Sequence, residues 1–160
     1  MNLTDIIRSD KDRIDKLLKA LRNLDPLSDD ILYPALSEYI CVRITGYLEV
    51  GVDSLLIAFV ERSTKDLKLR NIAIQHIKGY HSANYQKIRQ LLATFDKELD
   101  IAFQAEITKE RRTIPADINN LFEARNLIAH GGRTDLGREK LNAYFSAAQK
   151  VLEIIADLLN

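Results

Sequence analysis

Cysteine, proline and glycine are scarce in this chain, and each scarcity narrows the class of protein. The single cysteine, Cys41, cannot form an internal disulfide, which suits a reducing compartment. Three prolines and six glycines in 160 residues leave little room for the turns of a sheet protein and ample room for long helices.

Net charge and long apolar runs are lacking as well. Lys plus Arg and Asp plus Glu balance at 23 each, so no global basic field indicates a tight, non-specific nucleic-acid binder, while local chemistry on RNA stays open. The longest apolar run without a charge, residues 54–60, is too short to span a bilayer, and residues 1–10 lack the apolar core of a signal peptide. We therefore expect a soluble, cytoplasmic protein without membrane contact.

Sequence motifs of metal, nucleotide and hydrolase sites are also missing. The chain contains no HExxH, paired CxxC, GxxxxGK[ST], GxGxxG or GxSxG motif, and its three histidines, His76, His81 and His130, are scattered. We predict neither a metal site nor a cofactor, and we assign no function to His76 or His81.

Helical periodicity of apolar residues is what the chain does contain. Residues 3–24 carry an apolar stripe that ends at the turn residues 25–30. A second helix is predicted from about Pro34 to about Arg62; because it is apolar nearly all round, we expect it to be central and buried.

The remainder of the chain continues the helical pattern without strand alternation. Helices are predicted over 66–79 and over 83–96, with Ser82 capping the latter, and the charge-rich residues 97–112 indicate a short helix or loop. Two final helices are predicted from Pro115 to the pair Gly131-Gly132 and from Asp135 to about Leu159. The predicted fold is all-α, a single domain over residues 1–160 with five to seven helices.

The most specific segment is the end of the helix that follows Pro115, residues 123–132 (EARNLIAHGG). At 3.6 residues per turn, Arg125 lies among the apolar positions of the helix, namely Ile118, Leu121, Phe122, Ile128 and Ala129. A separate polar stripe carries Asn119, Glu123, Asn126 and His130. Arg125 is therefore predicted to point toward the core or a partner subunit.

This combination of side chains has chemical consequences. A buried guanidinium needs an anion, and phosphate is one that arginine binds bidentately. A histidine at a helix C-terminus is favoured in its protonated form, and Asn126 is positioned to orient its ring. Together Arg125 and His130 suffice for metal-free cleavage of RNA through its own 2′-OH. On these residues alone we favour a structural interpretation, in which Arg125 pairs with a core carboxylate and His130 caps the helix.

A family resemblance changes that balance. Arg125 to His130 resembles the R-x4-6-H motif of the HEPN superfamily, and an earlier long helix bears Gly46-Tyr47-Leu48-Glu49. The segment from Ser82-Ala83-Asn84-Tyr85 through Phe95-Asp96 is similar to the RiboL-PSP-type HEPN branch. The resemblance runs from about residue 35 to the end of the chain.

The resemblance implies a metal-independent endoribonuclease that acts as a homodimer, with two motif helices forming one composite cleft. Arg125 and His130 would be catalytic and Asn126 would support them. Many HEPN proteins act in toxin–antitoxin or antiphage systems, so a cognate antitoxin is an expected partner beside RNA. Others have lost activity and only bind RNA, a nucleotide or a partner protein, which is the alternative function; a purely structural helical dimer is the third.

Glu49 is a further candidate catalytic residue, because a carboxylate on a mostly apolar helix needs a cationic partner. We expect it to approach Arg125 or His130 and tune its environment, and we weigh pairing with Arg43 or another structural cation equally.

Basic and aromatic residues complete the candidates. Arg111 and Arg112 precede the motif helix and Arg133 follows it, and we predict that these three contact RNA; Lys109, Arg138 and Lys140 lie nearby. The alternative for each is a solvated surface charge. The tyrosines Tyr47, Tyr80, Tyr85 and Tyr144 are either base-stacking groups or core residues.

Overall fold

Seven helices and no strand make up the part of the chain that the computed structural model describes, residues 3–79 and 82–160, with side chains from residue 7 onward. The helices are α1 (Leu3–Arg22), α2 (Leu32–Ser63), α3 (Leu67–Gly79), α4 (Tyr85–Phe95), α5 (Lys97–Glu110), α6 (Ile114–Ala129) and α7 (Arg138–Leu159). The all-α prediction is confirmed.

Helix α2 is the centre of the molecule and packs against α1, α3, α6 and α7. It buries an apolar series at helical spacing, namely Ile40, Ile44, Leu48, Val52 and Leu56. One stripe departs from the prediction of a buried helix. Tyr39, Val42 and Val50 are 49%, 42% and 44% exposed, so α2 presents an apolar stripe to solvent.

Helix α7 is the main partner of α2 and also contacts α1, α5 and α6. The two helices approach closely where Gly51 faces Leu152, because a Cβ at Gly51 would lie 2.5 Å from Leu152 Cδ1. Nearby, the rings of Tyr47 and Phe145 meet edge to face at 5.6 Å. A small residue on α2 thus sets the spacing of the two longest helices.

Helices α4 and α5 pack against each other, and α5 also contacts α7. Two predictions for this part of the chain were wrong. Asn84, not Ser82, caps α4, since its side chain accepts a hydrogen bond from the Lys87 amide at 2.9 Å. Residues 97–110 form a regular helix of 14 residues rather than a short helix or loop. Asp96 caps it, and Phe103 and Ile107 are buried one turn apart.

The helix boundaries elsewhere lie within a few residues of those predicted. Helix α6 begins at Ile114, so Pro115 occupies its first turn. Helix α7 begins at Arg138 rather than near Asp135, because Gly137 is its cap and Leu136 folds back into the core.

Within the described residues, no helix has the length and apolar character needed to cross a membrane.

Candidate functional site

The candidate site lies at the C-terminal end of α6, where a glycine turn fixes the position of His130. Gly131 adopts a φ of 75°, its amide donates to Ile128 O at 3.0 Å, and the Gly132 amide donates to Leu127 O at 2.8 Å. These two bonds form a Schellman motif, which satisfies carbonyls that the helix end would leave unpaired. His130 is the last residue before this turn, and its side chain is exposed.

Arg125 lies one helical turn before the end of α6, half-buried against α2. Its NH1 group donates to Asn126 Oδ1 at 3.1 Å. Helix α6 meets α2 at Cys41, whose Sγ lies 3.8 Å from Leu121 O. Cys41 is fully buried, and burial raises the pKa of its thiol to about 11, with the charges of Glu38 and Arg125 as opposing influences. Cys41 is therefore an inert core residue.

Glu49 lies within electrostatic range of Arg125. Burial raises the pKa of the Glu49 carboxyl, the charge of Arg125 lowers it, and Asp53 raises it. Among the described residues, no salt bridge joins Glu49 to Arg125, so the guanidinium attracts the carboxylate without contacting it. The alternative partner Arg43 instead forms a salt bridge of 2.7 Å with Asp10 of α1.

The polar stripe of α6 is exposed throughout, at Asn119, Glu123, Asn126 and His130. The predicted apolar side is buried at Ile118, Leu121 and Phe122, but Ala129 is exposed because the core ends before the last turn. Asn126 does not bond the His130 ring within the described structure; its amide oxygen accepts from Arg125. Asn126 therefore supports Arg125 rather than the histidine.

The side chains of Arg125 and His130 diverge within one chain. His130 follows Arg125 by five positions, which places the two residues about 7.5 Å apart along the helix axis and about 140° apart around it. Arg125 faces α2, whereas His130 faces solvent at the glycine turn. The two groups share one end of α6 and do not converge on one point in a single chain.

The predicted RNA-contacting arginines occupy both ends of α6. Arg133 is exposed three residues beyond His130. Arg111 and Arg112 lie at the opposite end, just before the first residue of α6, Ile114. Arg111 donates to Asp117 Oδ2 at 3.1 Å, which holds it against the first turn of α6, while Arg112 is exposed. Their contact with RNA stays a prediction.

Two of the four candidate stacking tyrosines are core residues. Tyr47 and Tyr144 are buried, and Tyr85 is half-buried with its ring 5.9 Å from that of Phe103. Tyr80 lies outside the described residues, as does His81. Tyr47, Tyr85 and Tyr144 thus pack against the fold rather than present free faces to a base.

A small crevice next to Glu49, with both polar and apolar walls, was not predicted from the sequence. It has a volume of about 10 Å³, the room of about one water molecule, and its lining includes Glu49, Asp53, Ser82 and Lys87. Asp53 follows Glu49 by four residues, a spacing that placed both on one side of α2. The packing of α4 places Lys87 at this crevice, and no local sequence pattern predicts that Lys87 lies near Glu49.

Metal-binding geometry is absent from the described residues, in which no group of three or more His, Cys, Asp or Glu side chains could hold an ion.

Comparison with known proteins identifies the family. The sequence model of the RiboL-PSP-HEPN family matches residues 6–160. No curated protein and no solved structure matches the chain at a significant level. The resemblance carried by Arg125 to His130 and by residues 82–96 is therefore confirmed over nearly the whole chain. The chain belongs to the RiboL-PSP-HEPN family, and its all-helical architecture is a HEPN fold.

Proposed function

We propose that this protein is a metal-independent endoribonuclease that cleaves RNA by attack of a 2′-OH on the adjacent phosphate. The single observation that carries the proposal is that the Arg125 guanidinium has no carboxylate bonded to it within the described residues. Its guanidinium is half-buried against α2, and within the described residues its bonded partner is the neutral amide of Asn126 rather than a carboxylate. A charge held in this way is available to a phosphate.

This arrangement disfavours the structural interpretation of the same residues. A purely structural arginine at this position would form a salt bridge with a core carboxylate, since an unpaired buried charge is costly. Glu49 is a carboxylate on which the charge of Arg125 acts, but no salt bridge joins the two within the described residues. Glu49 therefore attracts the guanidinium without neutralising it by contact.

The proposed roles follow from these positions. Arg125 stabilises the negative charge that develops on the scissile phosphate, and Asn126 holds the guanidinium in place. His130 transfers the proton, as general acid or base, at the 2′-OH or at the leaving 5′-oxygen. The oxygen–phosphorus bond to the 5′-oxygen breaks, which leaves a 2′,3′-cyclic phosphate and a 5′-hydroxyl.

A homodimer is part of the proposal, because Arg125 and His130 diverge within one chain. Two α6 helices meeting at their C-terminal ends would bring the arginine of one copy near the histidine of the other. The exposed stripe of α2, defined as Tyr39, Val42 and Val50, supplies apolar surface on the side of the helix that carries Glu49. We infer that this stripe is covered by the second copy.

Arg133 is the best placed of the three predicted RNA contacts, because it is exposed beside His130. Arg111 and Arg112 would touch RNA only if the substrate followed the length of α6 to its N-terminal end. A toxin–antitoxin or antiphage setting, with a cognate antitoxin as partner, rests on the family alone.

Cleavage of total RNA by the purified protein in excess EDTA tests the proposal. We expect wild type to cleave and His130→Ala and Arg125→Ala to lose activity by about 100-fold or more, the usual scale for removing an acid–base group or a charge-stabilising donor. His76→Ala and Arg13→Ala are matched controls, since both side chains are exposed on other helices.

Folded wild type that leaves several RNAs intact would contradict the proposal. It would then favour the alternative, an inactive HEPN module that binds RNA, a nucleotide or a partner protein through the same surface. Circular dichroism and the oligomeric state of each variant show whether its fold is intact.

A further inference from the structure

Helix α3 exposes two large aliphatic side chains on the side that faces away from the core. Leu69 and Ile72 are 59% and 67% exposed, and they lie about 60° apart around the helix axis. The buried residue of this helix is Ile77, which lies about 140° from Ile72, and the helix packs against α2. The outer side of α3 therefore carries apolar surface that projects from the fold.

Positive charge accompanies this apolar surface. Lys65 lies just before α3, Lys68 lies about 40° from Ile72 around the axis, and Lys78 is in the last turn. All three lysines are exposed, and none forms a salt bridge within the described residues. The neighbouring carboxylate of Asp66 is engaged, since it accepts hydrogen bonds from two backbone amides of the first turn at 2.8 and 3.2 Å.

The charge of this segment stands out in a chain that is neutral as a whole. Residues 65–79 hold four basic side chains and one acidic side chain, whereas the complete chain has 23 of each sign. The loop before α2 shows the opposite combination. Leu27 and Ile31 are 90% and 82% exposed there, but residues 23–42 hold four acidic side chains and no basic one. Of these two exposed apolar surfaces, the one on α3 therefore complements an anionic partner.

An anionic lipid surface matches both features of α3. Lipid phosphates attract the lysines, and the boundary between head groups and acyl chains takes up aliphatic side chains of a helix that lies in its plane. A nucleic acid would match the charge alone. Its bases stack on aromatic side chains, and α3 contains no Phe, Tyr or Trp.

We propose that α3 is a docking surface for an anionic lipid bilayer. The helix lies parallel to the bilayer, Leu69 and Ile72 enter the boundary between head groups and acyl chains, and Lys65 and Lys68 contact lipid phosphates. Such docking needs no membrane-spanning helix. It departs from our expectation of no membrane contact, which considered only spanning segments and a signal peptide.

Co-sedimentation of the full chain with lipid vesicles tests the proposal. Vesicles of phosphatidylcholine mixed with phosphatidylglycerol are compared with vesicles of phosphatidylcholine alone. We expect the protein to bind the anionic vesicles, with an affinity that falls as salt is added, and to bind the neutral vesicles at least about 10-fold more weakly. The reason is that each lysine near an anionic surface strengthens binding by about 5-fold.

Two double variants locate the contact on α3. Leu69→Ser combined with Ile72→Ser removes the aliphatic groups, and Lys65→Gln combined with Lys68→Gln removes two charges. Each double variant should bind anionic vesicles about 10-fold more weakly than wild type, or weaker still. All four side chains are exposed, so the fold should persist, and circular dichroism checks that it does.

Matched control variants change the same residue types elsewhere. Leu27→Ser combined with Ile31→Ser removes exposed aliphatic groups from the acidic loop, and Lys11→Gln combined with Lys16→Gln removes two exposed charges from α1. Both controls should bind anionic vesicles like wild type. A loss of binding in these controls equal to that in the α3 variants would overturn the assignment to α3.

Nucleic acid is the competing partner, and a single-stranded 2′-deoxy oligonucleotide, which the proposed nuclease cannot cleave, tests it by fluorescence anisotropy. Oligonucleotide binding that disappears in the lysine double variant, with no binding to vesicles, would assign the surface to nucleic acid and overturn the proposal. Equal binding to the two kinds of vesicle, no binding of folded wild type to anionic vesicles, or unchanged binding in both α3 double variants would overturn it as well. None of these readouts depends on RNA cleavage.

Discussion

At the residue scale, the electrostatics around Arg125 combine its sequence neighbour Asn126 with groups that are distant in sequence. Glu49 and Asp53 come from α2 and Asn126 from α6. Burial and Asp53 together outweigh Arg125, so the pKa of the Glu49 carboxyl is raised on folding. The ionised form of Glu49 is thus disfavoured by its surroundings, although it lies near the proposed catalytic arginine.

The raised pKa of Glu49 predicts how its removal alters stability with pH. A carboxyl whose pKa is raised on folding binds its proton more tightly in the native state. The free energy of unfolding therefore falls as pH rises from the unfolded pKa through the native pKa. Glu49→Gln should remove this fall, so the variant should gain stability relative to wild type as the pH rises above the ordinary Glu pKa of about 4.3.

Urea unfolding of both proteins across that range measures the effect. Glu123→Gln is the matched control, because Glu123 is exposed on α6 and should show no such pH-dependent difference. A stability difference between Glu49→Gln and wild type that does not change with pH would contradict the assignment.

Residue identities at the site were readable from the sequence to different degrees. Arg125, Asn126 and His130 lie within six consecutive residues, so their spacing on one helix was predictable. The relation between Glu49 and Arg125 was one of two open interpretations, because nothing local shows that Arg43 is taken by Asp10. The position of Lys87 beside Glu49 was unpredictable, since it depends on how α4 packs.

At the element scale, the turn after α6 determines where His130 lies. Gly131 has a φ of 75°, a conformation that costs a residue with a Cβ about 1 kcal/mol. Gly131→Ala should therefore lower the free energy of unfolding by about 1 kcal/mol and also reduce RNA cleavage, because the proton-transferring group is displaced.

Chemical denaturation and the cleavage assay check the two effects together. Gly137→Ala is a suitable control: this glycine caps α7 with a φ of −74°, and a Cβ there would meet nothing within 4 Å. Cleavage by Gly131→Ala at the wild-type rate would show that the position of His130 does not depend on this turn.

Helix α5 shows why one element was underestimated from the sequence. Its buried residues, Phe103 and Ile107, are two apolar positions among many charged ones, so the stripe is narrow. The capping side chain of Asp96, followed by Glu98 and Asp100 in the first turn, was the stronger local signal. Capping residues therefore define this helix better than its apolar content does.

At the scale of the whole molecule, the fold was largely predictable and the assembly was not. Long apolar stripes fixed the type and order of the helices, because each must bury one face. The exposed stripe of α2 could not be told from a buried one, since Tyr39, Val42 and Val50 are as apolar as the core positions beside them. Only packing shows which side of α2 lacks a neighbour.

The proposed dimer predicts that this stripe is sensitive to charge. Val50→Asp should convert a dimer to a monomer, because a buried, unpaired carboxylate at an interface is strongly destabilising. The variant should keep its helical content and lose RNA cleavage, since each chain alone holds Arg125 and His130 apart. Sedimentation or light scattering gives the oligomeric state.

Leu69→Asp is the matched control, because Leu69 is an apolar side chain of α3 that is 59% exposed and distant from the stripe in sequence. It should leave both the oligomeric state and the cleavage unchanged. A monomeric wild type that cleaves RNA would refute the dimer and leave the nuclease proposal to stand alone.

The chemistry of the cut ends tests the central claim most directly. RNA cleaved by wild type in excess EDTA is analysed for its termini, beside an RNA with a 2′-deoxy substitution at the cleaved position and a reaction with His130→Ala. We predict a 2′,3′-cyclic phosphate and a 5′-hydroxyl, with no cut at the deoxy position and none by the variant. Ends with a 3′-hydroxyl and a 5′-phosphate, or equal cleavage by His130→Ala, would contradict the assignment of metal-free chemistry to Arg125 and His130.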